Sequence, residues 1–228
     1  MRNSDVAKAF TPTTRERGVF ASFGRAAMEL VSEVGFAGVL LWRSLLAIRK
    51  FPRSAHLVLE QMRRIGVESL PLVVMTSVFT GAVAAVQAAY QLMEFVPPTY
   101  IATAIYKSVV IELGPVLTSL VVGGRVSASI AAELGTMRVT EQVDAMDAMA
   151  IDPVRYLAMP RLVAALIMLP VLTVFADVLA ISGGFFVSYA SLGITAKTFV
   201  DGMKLLFFPH DVFGGLIKSF VFGGIIAL

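Results

Sequence analysis

The stretch Ser69–Met93, SLPLVVMTSVFTGAVAAVQAAYQLM, contains no charged residue. A helix that crosses the hydrocarbon core of a bilayer needs roughly 20 consecutive apolar residues, so this segment predicts a membrane span and fixes the solvent in which the rest of the chain is read. The composition agrees: 57% of the 228 residues are hydrophobic, only 15% are charged and the mean hydropathy is +0.81, too apolar for an ordinary soluble domain. The chain has no cysteine, which excludes disulfides, thiolate metal sites and cysteine nucleophiles.

Upstream of this span the chain is basic. Of its 19 Lys and Arg residues 11 precede Val67, opposed only by Asp5, Glu16, Glu29, Glu33 and Glu60, which by the positive-inside rule places the amino terminus in the cytoplasm. Such a segment meets lipid headgroups rather than nucleic acid. The first long apolar run comes too late for a cleaved signal peptide. Residues 1–18 are polar without a period and are expected to be disordered. Phe20, Phe23, Ala27, Leu30, Val31 and Val34 then recur at helical spacing, with Ser22, Arg25, Glu29 and Ser32 on the other side. The run Val34–Trp42 is too short to span and ends at Arg43, so residues 19–66 are predicted as a cytoplasmic interfacial helix and a basic connector. Trp42 is either an interfacial anchor or a packed aromatic, and His56 is a surface residue.

Downstream, EFVPP (94–98) marks a turn on the far side of the membrane. Tyr100–Leu134 returns as a second span with Lys107, Glu112 and Arg125 set into it; its length predicts that it projects from the bilayer or kinks at Pro115. TMRVTEQVDAMDAMAIDP (136–153) is the most polar stretch of the second half and is expected back on the cytoplasmic side. It reads as a short helix over about 139–152, with Thr140 as N-cap and Asp152-Pro153 as its end. Val143, Met146, Met149 and Ala150 form one face of it, away from Glu141, Asp144 and Asp147. Leu162–Tyr189 forms a third span interrupted by Pro170 and Asp177, Gly193–His210 a mixed far-side segment, and a fourth span starts near Val212. That span is apolar to Leu228 without an exit signal, so it is expected to be cut short. The fold class is an all-α integral membrane protein: an amphipathic interfacial helix, then a polytopic bundle over 67–228.

Small residues recur every fourth position at Ser77, Gly81, Ala85 and Ala89, and at Gly123, Ser127, Ala131 and Gly135. Such stripes let helix backbones approach closely in lipid, either within the chain or against a second copy. Glu112, Arg125, Asp177 and Lys218 lie within spans, where an ionisable group needs a partner, a watery cavity or an end position; each is a functional candidate or a snorkelling residue. The nucleophile elbow G-x-S-x-G, the metalloprotease helix H-E-x-x-H and the phosphate loop G-x-x-x-x-G-K-[ST] are absent. Energy from ATP must therefore come through another chain, and a cytoplasmic helix between two spans offers the mechanical contact.

The block ELGPVLTSLVVGGRVSASIAAELGTMRVTEQVDAMDAMAIDPVRYLAMPRL (Glu112–Leu162) resembles the MlaE (YrbE) permease family, the transmembrane subunits of Mla and Mce-type lipid ABC transporters, and the resemblance runs from about Gly24 to the end. It implies a homodimer of five-span, multi-pass permeases in the bacterial inner membrane, with two ATPase subunits below, a hexameric MCE-domain protein on the far side and, in some systems, a STAS-domain subunit. ATP and Mg would be used by the ATPase, leaving this chain non-catalytic and without a cofactor of its own. Phospholipid would pass between the inner membrane and the periplasmic MCE protein, serving outer-membrane lipid asymmetry.

Carried over by position, the resemblance makes Val83, Val86, Gln87, Tyr90, Leu113 and Leu117 lipid-cavity residues and places Glu112 and Lys218 at charged positions beside them. It also assigns ATPase coupling to Arg138, Glu141, Gln142, Asp144, Ala145, Met146, Asp152 and Pro153. This chain has Ile111 where some members have arginine, so an ion pair at Glu112 needs another donor, and the family's fifth span is not in the sequence. The alternatives are an ion-coupled secondary transporter using Glu112, Asp177 and Lys218 as a relay, for which no internal repeat is visible, and a scaffold that recruits a cytoplasmic partner through 136–153.

Overall fold

A computed structural model describes residues 19–47, 55–92, 94–150 and 152–227; the expectation of disorder over 1–18 and part of the basic connector lie outside them. The described residues form helices joined by short turns, without a strand. The chain divides into two compact units, Met1–Trp42 and Arg43–Leu228. Helix α1, Val19–Ala47, carries both the amphipathic repeat from Phe20 and the apolar stretch up to Trp42, and runs on past Arg43. It is one continuous helix, because a single charge among good helix formers does not break the hydrogen-bond ladder.

The larger unit begins with α2 (Ala55–Ile65), which passes through a 3₁₀ turn at Val67–Ser69 into α3 (Leu70–Leu92). The connector is thus the first part of a 38-residue helical run. After the turn at 94–97, α4 (Pro98–Ser108), a π-helical turn (Val109–Leu113) and α5 (Gly114–Val139) form a second run of 42 residues. A short helix α6 (Gln142–Ala148) follows, then a π turn (Val154–Ala158) continuing as α7 (Met159–Leu192). This third run passes through Pro170 without a break. At 1.5 Å per residue each run is close to twice the roughly 30 Å of hydrocarbon, so these helices project well beyond the membrane, as expected for the second span.

Gly193 takes the left-handed conformation (φ 65°) that ends α7. Helix α8 (Ala196–Leu205), capped by Thr195 Oγ1 on the Thr198 amide, meets α9 (Pro209–Ile226) at 82°. Three helices are long and apolar enough to span, four if this bent pair counts as one.

The deepest packing is between α3 and α7, and its cause is the first stripe of small residues. Ser77, Gly81, Ala85 and Ala89 are all buried. A Cβ on Gly81 would collide with the Ala180 carbonyl, and one on Gly183 with the Val78 carbonyl. Backbone therefore meets backbone, replacing a hydrophobic effect that lipid does not supply. This settles the partner of that stripe as intrachain. The second stripe behaves differently: Gly123 is buried near Ile226, whereas Ser127, Ala131 and Gly135 are exposed.

Gly81→Val is expected to lower the stability of the detergent-purified chain by about 3 kcal/mol or more, because backbone cannot retreat from the added methyls. Gly214→Ala, with open space around its Cα, should be neutral or stabilising by up to about 1 kcal/mol. Thermal unfolding of both variants checks this; equal destabilisation would contradict the packing account.

Candidate functional site

Pro115 organises the centre of the site. Having no N–H, it leaves the Ile111 carbonyl, its acceptor in an α-helix, without a donor. The Gly114 amide reaches past Val110 to the Val109 carbonyl, the π register, so the Val110 carbonyl also lacks a helical donor. In hydrocarbon an unsatisfied carbonyl costs several kcal/mol. Helix α9 supplies the remedy. Lys218 Nζ donates to the Ile111 carbonyl at 2.9 Å and to Glu112 Oε1 at 2.7 Å, and Gly215 lies so close to the Val110 carbonyl that a Cβ there would sit 2.5 Å from it. The expected kink at Pro115 is absorbed as this π turn inside a continuous helix.

Lys218 is thus the donor that Glu112 needs. On the opposite side Gly114 admits α7: a Cβ on it would collide with the Asp177 carboxylate, whose Oδ1 is buried without a hydrogen bond. Leu113 and Leu117 face α3, lining a small notch with Thr76, Ser77, Thr80, Thr118, Ala176 and Ala180.

Val83, Val86, Gln87 and Tyr90 share one face of α3, opposite the stripe buried against α7, and continue upward from Thr76 and Thr80 at helical spacing. This face is open in the single chain, Val83 being 65% and Tyr90 89% exposed. The structure therefore brings Leu113 and Leu117 to the foot of the α3 face and pairs Glu112 with Lys218, but one chain does not enclose the eight residues as a cavity. Below the ion pair, Val116, Leu120, Gly123, Gly124, Phe222 and Ile225 line an apolar groove of ≈ 350 Å³ between α5 and α9.

The segment assigned to coupling stands at the other end of α5, and three of its expected details need correction. Thr140 closes α5 instead of opening α6: its Oγ1 donates to the Thr136 carbonyl at 2.8 Å, extending the helix. Glu141, at φ 57°, takes the turn, and its carbonyl accepts the Ala145 amide at 2.9 Å. Asp152 does not end α6, which stops at Ala148; its Oδ1 accepts the Val154 amide at 3.1 Å and caps the following helix, with Pro153 beside it. Only Val143 and Met146 of the expected apolar face are half-buried, because Ala150 reverses the chain at φ 57° and leaves Met149 exposed. Arg138, Glu141, Gln142, Asp144, Ala145 and Asp152 are exposed, while Met146 and Pro153 are partly covered.

Two charged clusters escaped the sequence. At the α8–α9 bend, Asp211 is buried in the first turn of α9, where helix amides favour an anion. It pairs with Lys107 Nζ at 3.4 Å and His210 Nε2 at 3.2 Å, and Lys107 lies 4.9 Å from the Phe208 ring centre. At the α2 end, Arg125 donates to Glu68 at 3.0 Å and Ser69 Oγ at 2.7 Å, while Glu133 bridges Arg64 and Arg161. Arg125 is thereby an interhelix tie rather than a free intramembrane charge. A Pro four residues after Ile111 was the one signal that could have exposed the freed carbonyl.

Lys218→Met is expected to cost about 1–3 kcal/mol, since it strands a carbonyl as well as Glu112, and Glu112→Gln less, since the amide oxygen still accepts from Lys218. Denaturant melts of the two single variants and the double variant check this, the double being expected to fall no further than Lys218→Met.

A family model described as "Permease MlaE" matches residues 58–228. The chain is 40% identical over 207 residues to a probable ABC transporter permease protein of Rickettsia bellii, covering 91% of this chain and 80% of the relative. It is 30% identical over 203 residues to the intermembrane phospholipid transport system permease protein MlaE of Haemophilus influenzae, covering 89% and 78%. A chloroplastic relative in Arabidopsis thaliana, TRIGALACTOSYLDIACYLGLYCEROL 1, is 35% identical over 170 residues, covering 75% and 49%. The family model takes in the π turn, the Lys218 contact and the α6 hairpin, and on these matches this multi-pass membrane chain belongs to the MlaE permease family.

Proposed function

We propose that this chain is the membrane-spanning subunit of an ABC transporter that moves phospholipid between the bacterial inner membrane and a periplasmic MCE-domain protein, contributing to lipid asymmetry of the outer membrane. The observation that carries the reading is the α6 hairpin: a short helix held between two projecting spans, with Glu141, Asp144 and Asp152 exposed on it. Such an acidic knob fits a groove on a cytoplasmic ATPase and can carry its motion into α5 and α7. Two ATPase copies, using ATP and Mg, would do the covalent chemistry, and the permease none. With the basic α2 end in the cytoplasm, α8 and the turn at 94–97 face the periplasm, where a hexameric MCE protein would dock; a STAS-domain subunit fits beside the ATPase. No nucleic-acid partner is involved.

The substrate path is assigned to the open face of Val83, Val86, Gln87 and Tyr90 with Leu113 and Leu117. An aliphatic wall beside the Glu112–Lys218 pair suits a molecule with acyl chains and a charged headgroup. A second permease copy would close that face. The exposed residues Ser127, Ala131 and Gly135 and the groove above them leave α5 room for close helix packing with another chain, which supports a homodimer.

The test is to purify the full-length permease with its neighbouring ATPase and compare the wild type with the Glu141→Lys, Asp144→Lys double variant. The wild type is expected to retain phospholipid and to support ATP turnover. Charge reversal at the interface should cut permease-dependent turnover by about tenfold or more. A permease that binds no ATPase and no lipid, with the variant indistinguishable from it, would contradict the reading and return the secondary-transporter alternative.

A further inference from the structure

Helix α6 hangs between two stems, the last turns of α5 and the first turns of α7, and one carboxylate joins those stems. Glu133 Oε2 accepts from Arg161 Nη2 at 2.8 Å, and Glu133 Oε1 accepts from Arg64 Nη1 at 3.2 Å. The Arg161 side chain is only 4% exposed and its Nε has no partner, so Glu133 is its one ion-pair partner among the described residues. Arg64 is in turn held by Glu60 at 2.8 Å. A single carboxylate thus gathers α2, α5 and α7 about two helical turns inside the hairpin.

Apart from the Arg125 tie between α5 and the 3₁₀ turn, which does not reach α7, this end is packed by apolar side chains such as Val126, Met159 and Val163. Apolar contacts are non-directional and permit helices to slide. A buried guanidinium does not: if α5 and α7 separate, Arg161 is left as an uncompensated charge, which is far costlier than the pair itself is stabilising.

We propose that Glu133 is a positioning residue for transport. By clasping Arg161 and Arg64 it makes the two stems and α2 move as one body, so that a displacement of α6 reaches the bundle instead of bending one stem against the other. This rests on the reading that α6 meets an ATPase, and it adds the element that would transmit the motion.

The experiment uses the full chain with its ATPase in vesicles of phosphatidylethanolamine and phosphatidylglycerol carrying a fluorescent phospholipid. Because the chain has no cysteine, Thr136→Cys with Tyr156→Cys places one spin label on each stem at exposed positions. Glu133→Gln is expected to keep assembly and ATP turnover within about twofold while lipid moved per ATP falls about tenfold. Its stem-to-stem distance distribution should broaden through the nucleotide cycle, and Glu133→Asp should restore both readouts toward wild type. Unchanged lipid per ATP with an unchanged distance in Glu133→Gln would overturn the clasp. So would a parallel loss of assembly, turnover and transport, which marks a merely structural ion pair. If the wild type itself moves no lipid, the transport reading fails, while the distances in Glu133→Gln still decide whether the stems are clasped.

Discussion

A carbonyl without a donor is the constraint on which the centre of this molecule depends. In water the Ile111 oxygen would simply be hydrated; in hydrocarbon it must be met by protein. Pro115 creates the need, and Lys218, reaching from α9, meets it. The same lysine holds Glu112, the π turn places Gly114 against Asp177, and Gly215 brings α9 close enough for the reach. Without Lys218, Glu112 loses its counter-charge and the Ile111 carbonyl its donor. A proline in a span is thus turned from a helix breaker into a docking point for another helix.

Around that point the bundle is built by subtraction. Where α3 and α7 cross, Gly81 and Gly183 carry no side chain to keep the backbones apart, and dispersion between closely set helices replaces the hydrophobic effect. The polar ties are concentrated elsewhere. Arg125, Arg64, Glu133 and Arg161 lie at the α2 and α6 end, and Lys107, His210 and Asp211 at the α8 bend, leaving one intramembrane ion pair between them among the described residues. That division leaves a core of close helix contacts with its charged ties gathered at the two ends.

Much of this was legible in the residues. Ser69–Met93 announced the span through the absence of charge, the stripe from Ser77 to Ala89 announced a close helix contact, and the acidic run after Thr140 announced an exposed connection. What stayed hidden was three-dimensional. Thr140 has the chemistry of an N-cap, but a hydroxyl that can bond back to the Thr136 carbonyl serves equally to extend the helix before it, and sequence does not say which neighbour wins. Asp152 likewise caps forward rather than closing backward. Lys107 with Asp211 and Arg161 with Glu133 are far apart along the chain, and no periodicity links them. The α3 stripe could not name its partner for the same reason.

The account's central claim is that Lys218 is held at the Ile111 carbonyl because Pro115 vacated it, and a double-mutant cycle between those two residues tests it most directly. In a Pro115→Ala background the helix recovers its own donor, so adding Lys218→Met should cost clearly less than it does beside Pro115, with a coupling of about 1 kcal/mol or more in thermal or denaturant unfolding. If Lys218→Met destabilises the chain equally in both backgrounds, the lysine is not there for the carbonyl, and the explanation of how α9 is seated on the π turn is wrong.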